Sequence, residues 1–316
     1  MIQTVYSSEL PVDEDLVIQK NRVTGTGGND EAAGRRICVV TGVHGDELEG
    51  QYVAFELNRR LAEHPELLSG TIDIYPAINP LGINSIERSV PMFDVDLNRT
   101  FPGDLEGDVT ETLAAAVIDD LTGADVVIDI HASNIFLREM PQIRINEVSA
   151  DALLPLAPLL NVDYVWVHAS STVLESTLAY SLNERGTKTL VVEAGVGMRI
   201  TREYGERLVE GILRLAASLG MWAGPYLSYR APIVSNDGAV SYLNANAGGI
   251  FLPDAPHGKP VREGQRVGRV ADPLTGEVLE DVRAPVSGLL FTLREYPVVY
   301  PGSLLARILE DTGDAR

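Results

Sequence analysis

The chain has 316 residues and is 45% hydrophobic, which is enough apolar material for one large domain plus a small one and excludes a globally disordered protein. Its formal net charge of −20 argues against nucleic acid and anionic membrane surfaces as partners, because both carry negative charge themselves. No apolar run is long enough to span a bilayer.

The N-terminal segment MIQTVYSSELPVDEDLV lacks the basic stretch followed by an apolar stretch that marks a secretory signal. Cys38 is the single cysteine, so no internal disulfide can form, and its place in the apolar run RICVV predicts core packing. Both observations favour a cytoplasmic location. The sequence does not indicate the oligomeric state, and a homo-oligomer is one of the possibilities.

Apolar, β-branched runs alternate with helical patterns up to about residue 222. Strands are predicted at RICVV (36–40), TIDIYPAI (71–78), DVVIDI (125–130), VDYVWV (162–167) and TLVVEA (189–194). Helices are predicted where apolar residues recur every three or four positions, at Val53, Leu57 and Leu61, at Leu113, Val117 and Leu121, at Leu174, Leu178 and Leu182, and at Leu208, Ile212 and Leu215. This alternation predicts a three-layer α/β/α domain with a largely parallel sheet. The segment TGTGGND (24–30), which no strand-to-helix unit surrounds, is interpreted as a hairpin turn.

The composition changes after the segment MWAGPYLSYRAP (221–232), where short apolar runs are punctuated by glycine and proline and no helical pattern is convincing. We therefore predict an α/β domain over residues 1–224 and an all-β, barrel-like domain over residues 225–316. The segment VRAPVSGLL is similar to biotinyl and lipoyl carrier domains, which need a lysine at an exposed hairpin tip. Lys259 is the only lysine after Lys188 and lies outside such a hairpin, so we expect no carrier role.

Polar residues stand at the ends of the predicted strands, and ligands of open α/β sheets bind at that edge. The stretch VVTGVHGDELEG places His44 and Glu47 after the first strand, and His131 follows VVIDI. Two histidines and one carboxylate are a recurring ligand set of hydrolytic zinc sites, which leave the fourth position to water. The alternative for His44 and Glu47 alone is a solvated loop with incidental polar residues. His168, which also follows a strand, is interpreted as structural.

Glu193 is the candidate general base. It ends the apolar strand TLVVE, where an acidic residue is costly to bury without a purpose, and a zinc hydrolase needs a carboxylate that moves the proton of water. Arg138 and Arg144 follow His131 in the segment HASNIFLREMPQIRI. For Arg144, a substrate-binding position in the pocket and a surface salt bridge are both open.

The loop-like segment SIERSVPMFDVDLNRTFPG (85–103) supplies further candidates. Asn98 and Arg99 are suited to bind a substrate carboxylate, with Asp96 orienting the arginine. A second arginine in this segment, Arg88, would polarise the scissile carbonyl beside the metal.

The four segments GVHGDE, DLNRTFPG, DIHAS and VVEAG, in this order and spacing, resemble the succinylglutamate desuccinylase/aspartoacylase family within the broader zinc carboxypeptidase-like group. The resemblance covers most of residues 36–200. The segments VRAPVSGLL and VVYPGSLLARI also resemble the β domain that follows the catalytic domain in that family. The resemblance therefore implies a zinc-carboxypeptidase-like α/β/α catalytic domain with a C-terminal β domain.

Carried over residue by residue, the resemblance implies one zinc ion per chain on His44, Glu47 and His131. It also implies that Glu193 is the general base and that Asn98 and Arg99 hold the substrate carboxylate. Arg88 is the nearest match to the arginine that polarises the carbonyl in the family, although its spacing differs. The first motif is HGDE here and HGNE in aspartoacylases. This difference leaves the identity of the substrate open, but it does not change the implied metal ligands.

The expected activity is hydrolysis of the amide bond of a small N-acyl amino acid. A metallocarboxypeptidase acting on short peptides would use the same metal and base, with Arg99 on a terminal carboxylate. A third hypothesis is a non-catalytic sensor that binds amino-acid derivatives. The presence of all three candidate ligands and of Glu193 argues against it. The sequence identifies neither the acyl group nor the amino acid.

Overall fold

The computed structural model describes residues 1–169, 176–228 and 230–311. Its helices are Glu49–Glu63 (α1), Pro80–Ser85 (α2), Val109–Leu121 (α3), Ala150–Leu153 (α4), Leu178–Glu184 (α5) and Arg202–Ser218 (α6). Its first eight strands are Ile2–Leu10 (β1), Glu14–Thr24 (β2), Arg36–Thr41 (β3), Thr71–Tyr75 (β4), Val126–Ser133 (β5), Leu137–Asn146 (β6), Tyr164–His168 (β7) and Thr189–Val196 (β8). The later strands are Ile233–Asn236 (β9), Val240–Asn244 (β10), Gly249–Pro253 (β11), Pro260–Val261 (β12), Arg266–Ala271 (β13), Val278–Arg283 (β14), Gly288–Arg294 (β15), Val298–Val299 (β16) and Leu304–Glu310 (β17).

One large mixed sheet runs through the molecule in the order β1-β2-β4-β3-β5-β8-β6-β15-β17-β10, with β7 beside β6 and β9 beside β7. Its centre is parallel, since β3 pairs in parallel with β4 and β5, and β5 pairs in parallel with β8. The carboxyl ends of these strands therefore meet at one edge. The predicted α/β class, with a parallel central sheet, is confirmed.

Helices cover both faces of this centre. Along β3, Ile37 and Val39 enter one hydrophobic core and Cys38 and Val40 enter the other, because successive side chains point to opposite faces. Helices α1 and α6 supply the first core, and α3 and α5 supply the second. These helices match the predicted patterns, except that Leu174 lies outside the described residues. Among the helices described, none has the length and apolar character needed to cross a membrane.

The N-terminal segment differs from expectation. Strands β1 and β2 form an antiparallel pair that adds to β4, and no strand was predicted there. The predicted hairpin turn at 24–30 is wrong, since β2 and β3 do not pair with each other but lie on either side of β4. Gly25 and Gly27 of this segment serve close packing instead. A Cβ on Gly25 would lie 1.9 Å from the carbonyl oxygen of Leu68.

The C-terminal region is built from strands, as predicted. Strands β14, β13, β11 and β16 form a separate four-stranded sheet over a core that includes Phe251, Val267 and Leu305. No α-helix follows Ser218 in the part of the chain that the structure describes. Strand β15 continues the large sheet by pairing with β6, with Thr292 opposite Glu139. The two regions are thus joined by backbone hydrogen bonds.

Candidate active site

A cavity of about 900 Å³ opens at the carboxyl edge of the parallel strands. The residues predicted from the sequence all line it: His44, Glu47, Arg88, Asp96, Asn98, Arg99, His131, Arg144 and Glu193. Strand order explains this convergence, because β3, β5 and β8 are neighbours whose ends point the same way. Residues that are widely separated in the sequence are therefore brought to one place.

Glu47 joins the two histidines. Its Oε1 lies 2.7 Å from Nδ1 of His44, and its Oε2 lies 2.9 Å from Nδ1 of His131. The amide of Ala132 also donates to Oε2, at 3.2 Å. Burial alone would raise the pKa of Glu47, but the charges of His131 and His44 outweigh it and hold that pKa well below its ordinary value.

A turn after β3 brings His44 and Glu47 together. Gly42 adopts a φ of +64°, a left-handed conformation that glycine tolerates, and so lets the chain leave the strand sharply. Gly45 packs so closely on α2 that a Cβ there would lie 2.0 Å from the carbonyl carbon of Gly82. Gly42 is therefore required by the backbone conformation and Gly45 by close packing, so the motif is not an incidental loop.

Each histidine is also held from behind by a carboxylate. Nε2 of His44 lies 3.1 Å from Oδ1 of Asp96, and Nε2 of His131 lies 3.1 Å from Oδ2 of Asp129. Carboxylates in this position fix the ring orientation of metal-binding histidines and raise their basicity. Asp129, which is almost fully buried, is a residue that the sequence reasoning missed. It lies two residues before His131 on the same strand, which is the signal that would have identified it.

The three predicted ligands fit a metal ion. One ligand atom from each of His44, Glu47 and His131 lies within 4.8 Å of the others, and all three side chains are buried. Imidazole nitrogens and a carboxylate oxygen are the donors that first-row divalent metals take in proteins. The group can therefore hold such an ion.

Arg88 lies directly beside this group. Its Nη1 donates to Oε1 of Glu47 at 2.7 Å, and its Nη2 lies 2.9 Å from Nε2 of His44. The same Nη2 lies 3.6 Å from Oδ2 of Asp96. With 40% of its side chain exposed, the guanidinium faces both the ligand group and the open cavity.

The Asn98–Arg99 pair lies on a short 3₁₀ turn, Leu97–Arg99. Asp96 caps that turn by accepting from the Asn98 amide at 3.0 Å, and Nη1 of Arg99 donates to the Asn98 carbonyl oxygen at 2.7 Å. The Asn98 side chain accepts from the amide of Leu178 at 3.0 Å, which ties the turn to α5. Asp96 was expected to orient Arg99. Its carboxylate instead accepts from the Asn98 amide, contacts His44 and lies near Arg88.

Glu193 reaches the cavity from β8, opposite His131 in the sheet register. Its Oε1 lies 3.3 Å from Nη1 of Arg144, and 16% of its side chain is exposed. Burial raises the pKa of Glu193, while the positive charges of Arg144 and His131 act against that rise. A carboxylate with a raised pKa accepts a proton more readily.

Arg144 is not a surface residue, so the surface salt bridge is excluded. It lies on β6, and its guanidinium stands between Glu193 and Glu139, with Nη2 donating to Oε1 of Glu139 at 3.4 Å. Its charge also lies 5.7 Å from the ring centre of Trp166.

Residues after position 225 also line the cavity, and the sequence reasoning identified none of them: Asp237, Tyr242 and Arg307. Asp237 accepts from Nε1 of Trp166 at 2.8 Å and lies 3.1 Å from Nδ1 of His168. His168 thus lines the cavity while being held by another side chain. No motif marks these positions, since only the pairing of β9 and β15 with the α/β region brings them here.

Known proteins resemble this chain in sequence and in fold. The profile of the succinylglutamate desuccinylase/aspartoacylase catalytic domain matches residues 33–219. The chain is 28% identical to the N-alpha-acetyl-L-2,4-diaminobutyric acid deacetylase of Halomonas elongata over 278 residues, which are 85% of this chain and 80% of that protein. The structure of succinylglutamatedesuccinylase/aspartoacylase from Rhodobacter sphaeroides superimposes with a TM-score of 0.81 at 25% identity, covering 99% of this chain and 96% of that one. The Ectoine utilization protein EutE (DoeB) from Ruegeria pomeroyi gives a TM-score of 0.77 at 22% identity, covering 94% and 89%.

Proposed function

The chain belongs to the succinylglutamate desuccinylase/aspartoacylase family, and on that premise we propose that it is a zinc-dependent hydrolase that cleaves the amide bond of a small N-acyl amino acid. The observation that carries the proposal is the Glu47 carboxylate, which contacts Nδ1 of both His44 and His131. Glu193 stands on the adjacent strand, opposite His131.

His44, Glu47 and His131 would hold the zinc ion. Two imidazole nitrogens and one carboxylate are the protein ligands of many hydrolytic zinc sites. When bound, zinc supplies a Lewis acid that polarises a carbonyl and lowers the pKa of water. Asp96 and Asp129 orient the two imidazoles from behind.

Glu193 is the proposed general base. It takes a proton from the water that attacks the acyl carbonyl and returns it to the amide nitrogen as the C–N bond breaks. The products are a carboxylic acid, which ionises, and a free amine. The partly buried carboxylate, with a pKa above its ordinary value, is suited to this transfer.

Arg88 is the proposed donor to the developing oxyanion. Its guanidinium already contacts Glu47 and His44, so it lies beside the place where the scissile carbonyl must sit. A guanidinium held in this position stabilises the negative charge that develops on the carbonyl oxygen. Asn98 and Arg99, on the same wall of the cavity, are the proposed anchor of the substrate carboxylate.

We expect the Arg99→Ala variant to raise KM for N-acyl amino acids by about 10- to 100-fold, since a charge-assisted hydrogen bond contributes about 1.5–3 kcal/mol. The matched control is the same substrate with its carboxylate converted to a primary amide. The variant and the wild type should then hydrolyse this amide equally well. A KM that rises as much for the amide as for the acid would contradict carboxylate binding by Arg99.

The C-terminal region is proposed to form a separate domain that starts near residue 225 and narrows the cavity entrance. Its own hydrophobic cluster, which spans positions 243–308, supports this division. Tyr242 and Arg307 reach the cavity from it, and such a wall favours small substrates over peptides.

The substrate class is tested by measuring free-amine release from a panel of N-acyl amino acids and matched dipeptides. The relative from Halomonas elongata is named for an N-acetylated diamino acid, so acetyl derivatives of diaminobutyrate, aspartate and glutamate come first, followed by succinyl derivatives. Each assay is run with zinc and again after a chelator. Chelator-sensitive turnover of the N-acyl compounds supports the proposal, and turnover of dipeptides alone overturns it.

A further inference from the structure

Four side chains of alternating charge lead from the proposed base into the C-terminal region: Glu193, Arg144, Glu139 and Arg307. We refer to them as the charge chain. Nη1 of Arg144 lies 3.3 Å from Glu193, Nη2 of Arg144 lies 3.4 Å from Glu139, and Nη1 of Arg307 lies 2.8 Å from Glu139. Two negative and two positive groups thus balance one another.

Glu139 is the centre of the charge chain and is fully buried, at 0% exposure. Its Oε1 accepts from both arginines, and its Oε2 accepts from Nε2 of Gln142 at 2.9 Å and from Oγ1 of Thr292 at 2.5 Å. A buried carboxylate is costly unless it is paired and hydrogen-bonded, and this one has four donors. Two of the four, on Thr292 and Arg307, come from β15 and β17.

The two arginines are also fixed by aromatic rings. The guanidinium carbons of Arg144 and Arg307 each lie 5.7 Å from the ring centre of Trp166, and that of Arg307 lies 5.6 Å from the ring centre of Tyr242. Only 17% of the Arg307 side chain is exposed, compared with 29% of Arg144. Arg307 is therefore the more enclosed of the two; both line the cavity, and Arg144 is the one that contacts Glu193.

We propose that Glu139 and Arg307 are positioning residues that hold Arg144 in place, and that Arg144 in turn orients the Glu193 carboxylate for proton transfer. Arg144 is shared between two carboxylates, so its position depends on how strongly each attracts it. Arg307 satisfies much of the charge of Glu139 and leaves Arg144 available to Glu193. Without Arg307, Glu139 would draw Arg144 away from the base. The inference rests on the proposed function, because it assigns Glu193 as the base.

The test compares the Arg307→Gln variant with the double variant that adds Glu139→Gln. The single variant leaves Glu139 without its closest cation, so kcat should fall about tenfold or more while KM stays within about twofold, since positioning errors act on the chemical step. The double variant removes the unbalanced charge as well, and kcat should return to within about threefold of the wild type. A residue with a merely structural role would instead make the double variant worse than the single one.

Arg207→Gln is the matched control. Arg207 also forms a partly buried ion pair, with Nη2 at 2.8 Å from Oδ1 of Asp163, but it does not line the cavity. Its loss should leave kcat unchanged. If kcat falls as far in this control as in Arg307→Gln, or if the double variant shows no recovery, the positioning role is overturned. If Arg307→Gln does not fold, the double variant decides alone, and a folded double variant with a tenfold lower kcat contradicts the proposal.

Crystal structures of both variants separate this inference from the proposed function. Nη1 of Arg144 should lie farther from Glu193 than 3.3 Å in the single variant and return towards that distance in the double variant. If the wild type hydrolyses none of the compounds in the panel, the proposed function fails. The displacement of Arg144 still reports on the charge chain. An unmoved Arg144 in the single variant refutes the positioning role whatever the enzyme acts on.

Discussion

Glu193→Gln is expected to lower kcat/KM by about a thousandfold, within the usual 10²- to 10⁴-fold effect of a general base, while zinc content stays at the wild-type level. Glutamine has the same shape but cannot accept the proton of water. A thousandfold change corresponds to about 4 kcal/mol of transition-state stabilisation. Because Glu193 is not one of the three grouped ligands, metal binding should not depend on its charge.

The measurement is steady-state kinetics on the best substrate of the panel, together with metal analysis of the same sample. Glu263→Gln, which alters an exposed carboxylate in the C-terminal region, is the control and should behave like the wild type. Near-normal turnover by the Glu193→Gln variant would falsify the assignment of the base. Loss of zinc in that variant would show that the carboxylate is a ligand instead.

His131→Ala is expected to weaken zinc binding by at least about 100-fold, because the loss of an outer hydrogen bond to a ligand already costs 10- to 100-fold. Turnover should disappear with the metal. The apoprotein should also be less stable, since Glu47 and Asp129 are both buried and both contact the His131 imidazole. Removing one partner of a buried ion pair costs about 3–5 kcal/mol.

Zinc titration of the metal-free protein and chemical denaturation of the same preparation measure these two effects separately. His64→Ala is the control, because the His64 side chain is 55% exposed and forms an ion pair with the similarly exposed side chain of Glu66. It should change neither zinc affinity nor the free energy of unfolding. Undiminished zinc affinity in His131→Ala would remove His131 from the ligand set.

The sheet centre and the candidate site residues at its edge were predictable because one rule governs both. Buried parallel strands carry continuous apolar runs, and polar residues directly after such runs must lie at the carboxyl edge of the sheet. This rule predicts that His44, Glu47, His131 and Glu193 lie close together, and all four line the cavity. Local sequence was sufficient because each residue lies on, or a few positions after, the strand that positions it.

Contacts between distant segments could not be predicted in that way. The partners of Glu139 lie 153 and 168 residues further along, at Thr292 and Arg307, and no periodicity links them. The sequence therefore left two positions open for Arg144, the pocket and a surface salt bridge, and did not indicate its two carboxylates, Glu139 and Glu193. The N-terminal strands were missed for a related reason. β1 is half-exposed along its length and lacks a continuous apolar run, so only its pairing with β2 defines it.

The pairing of Glu139 with residues so much later in the chain has a consequence during protein synthesis. When β6 leaves the ribosome, Glu139 has Gln142 and Arg144 nearby, but the hydroxyl of Thr292 and the guanidinium of Arg307 have not yet been made. Burying a carboxylate without its hydrogen-bond and ion-pair partners is costly in free energy. Glu139 is therefore buried in the sheet only after β15 and β17 have been synthesised. The cavity, which Arg307 helps to line, is therefore completed late in synthesis.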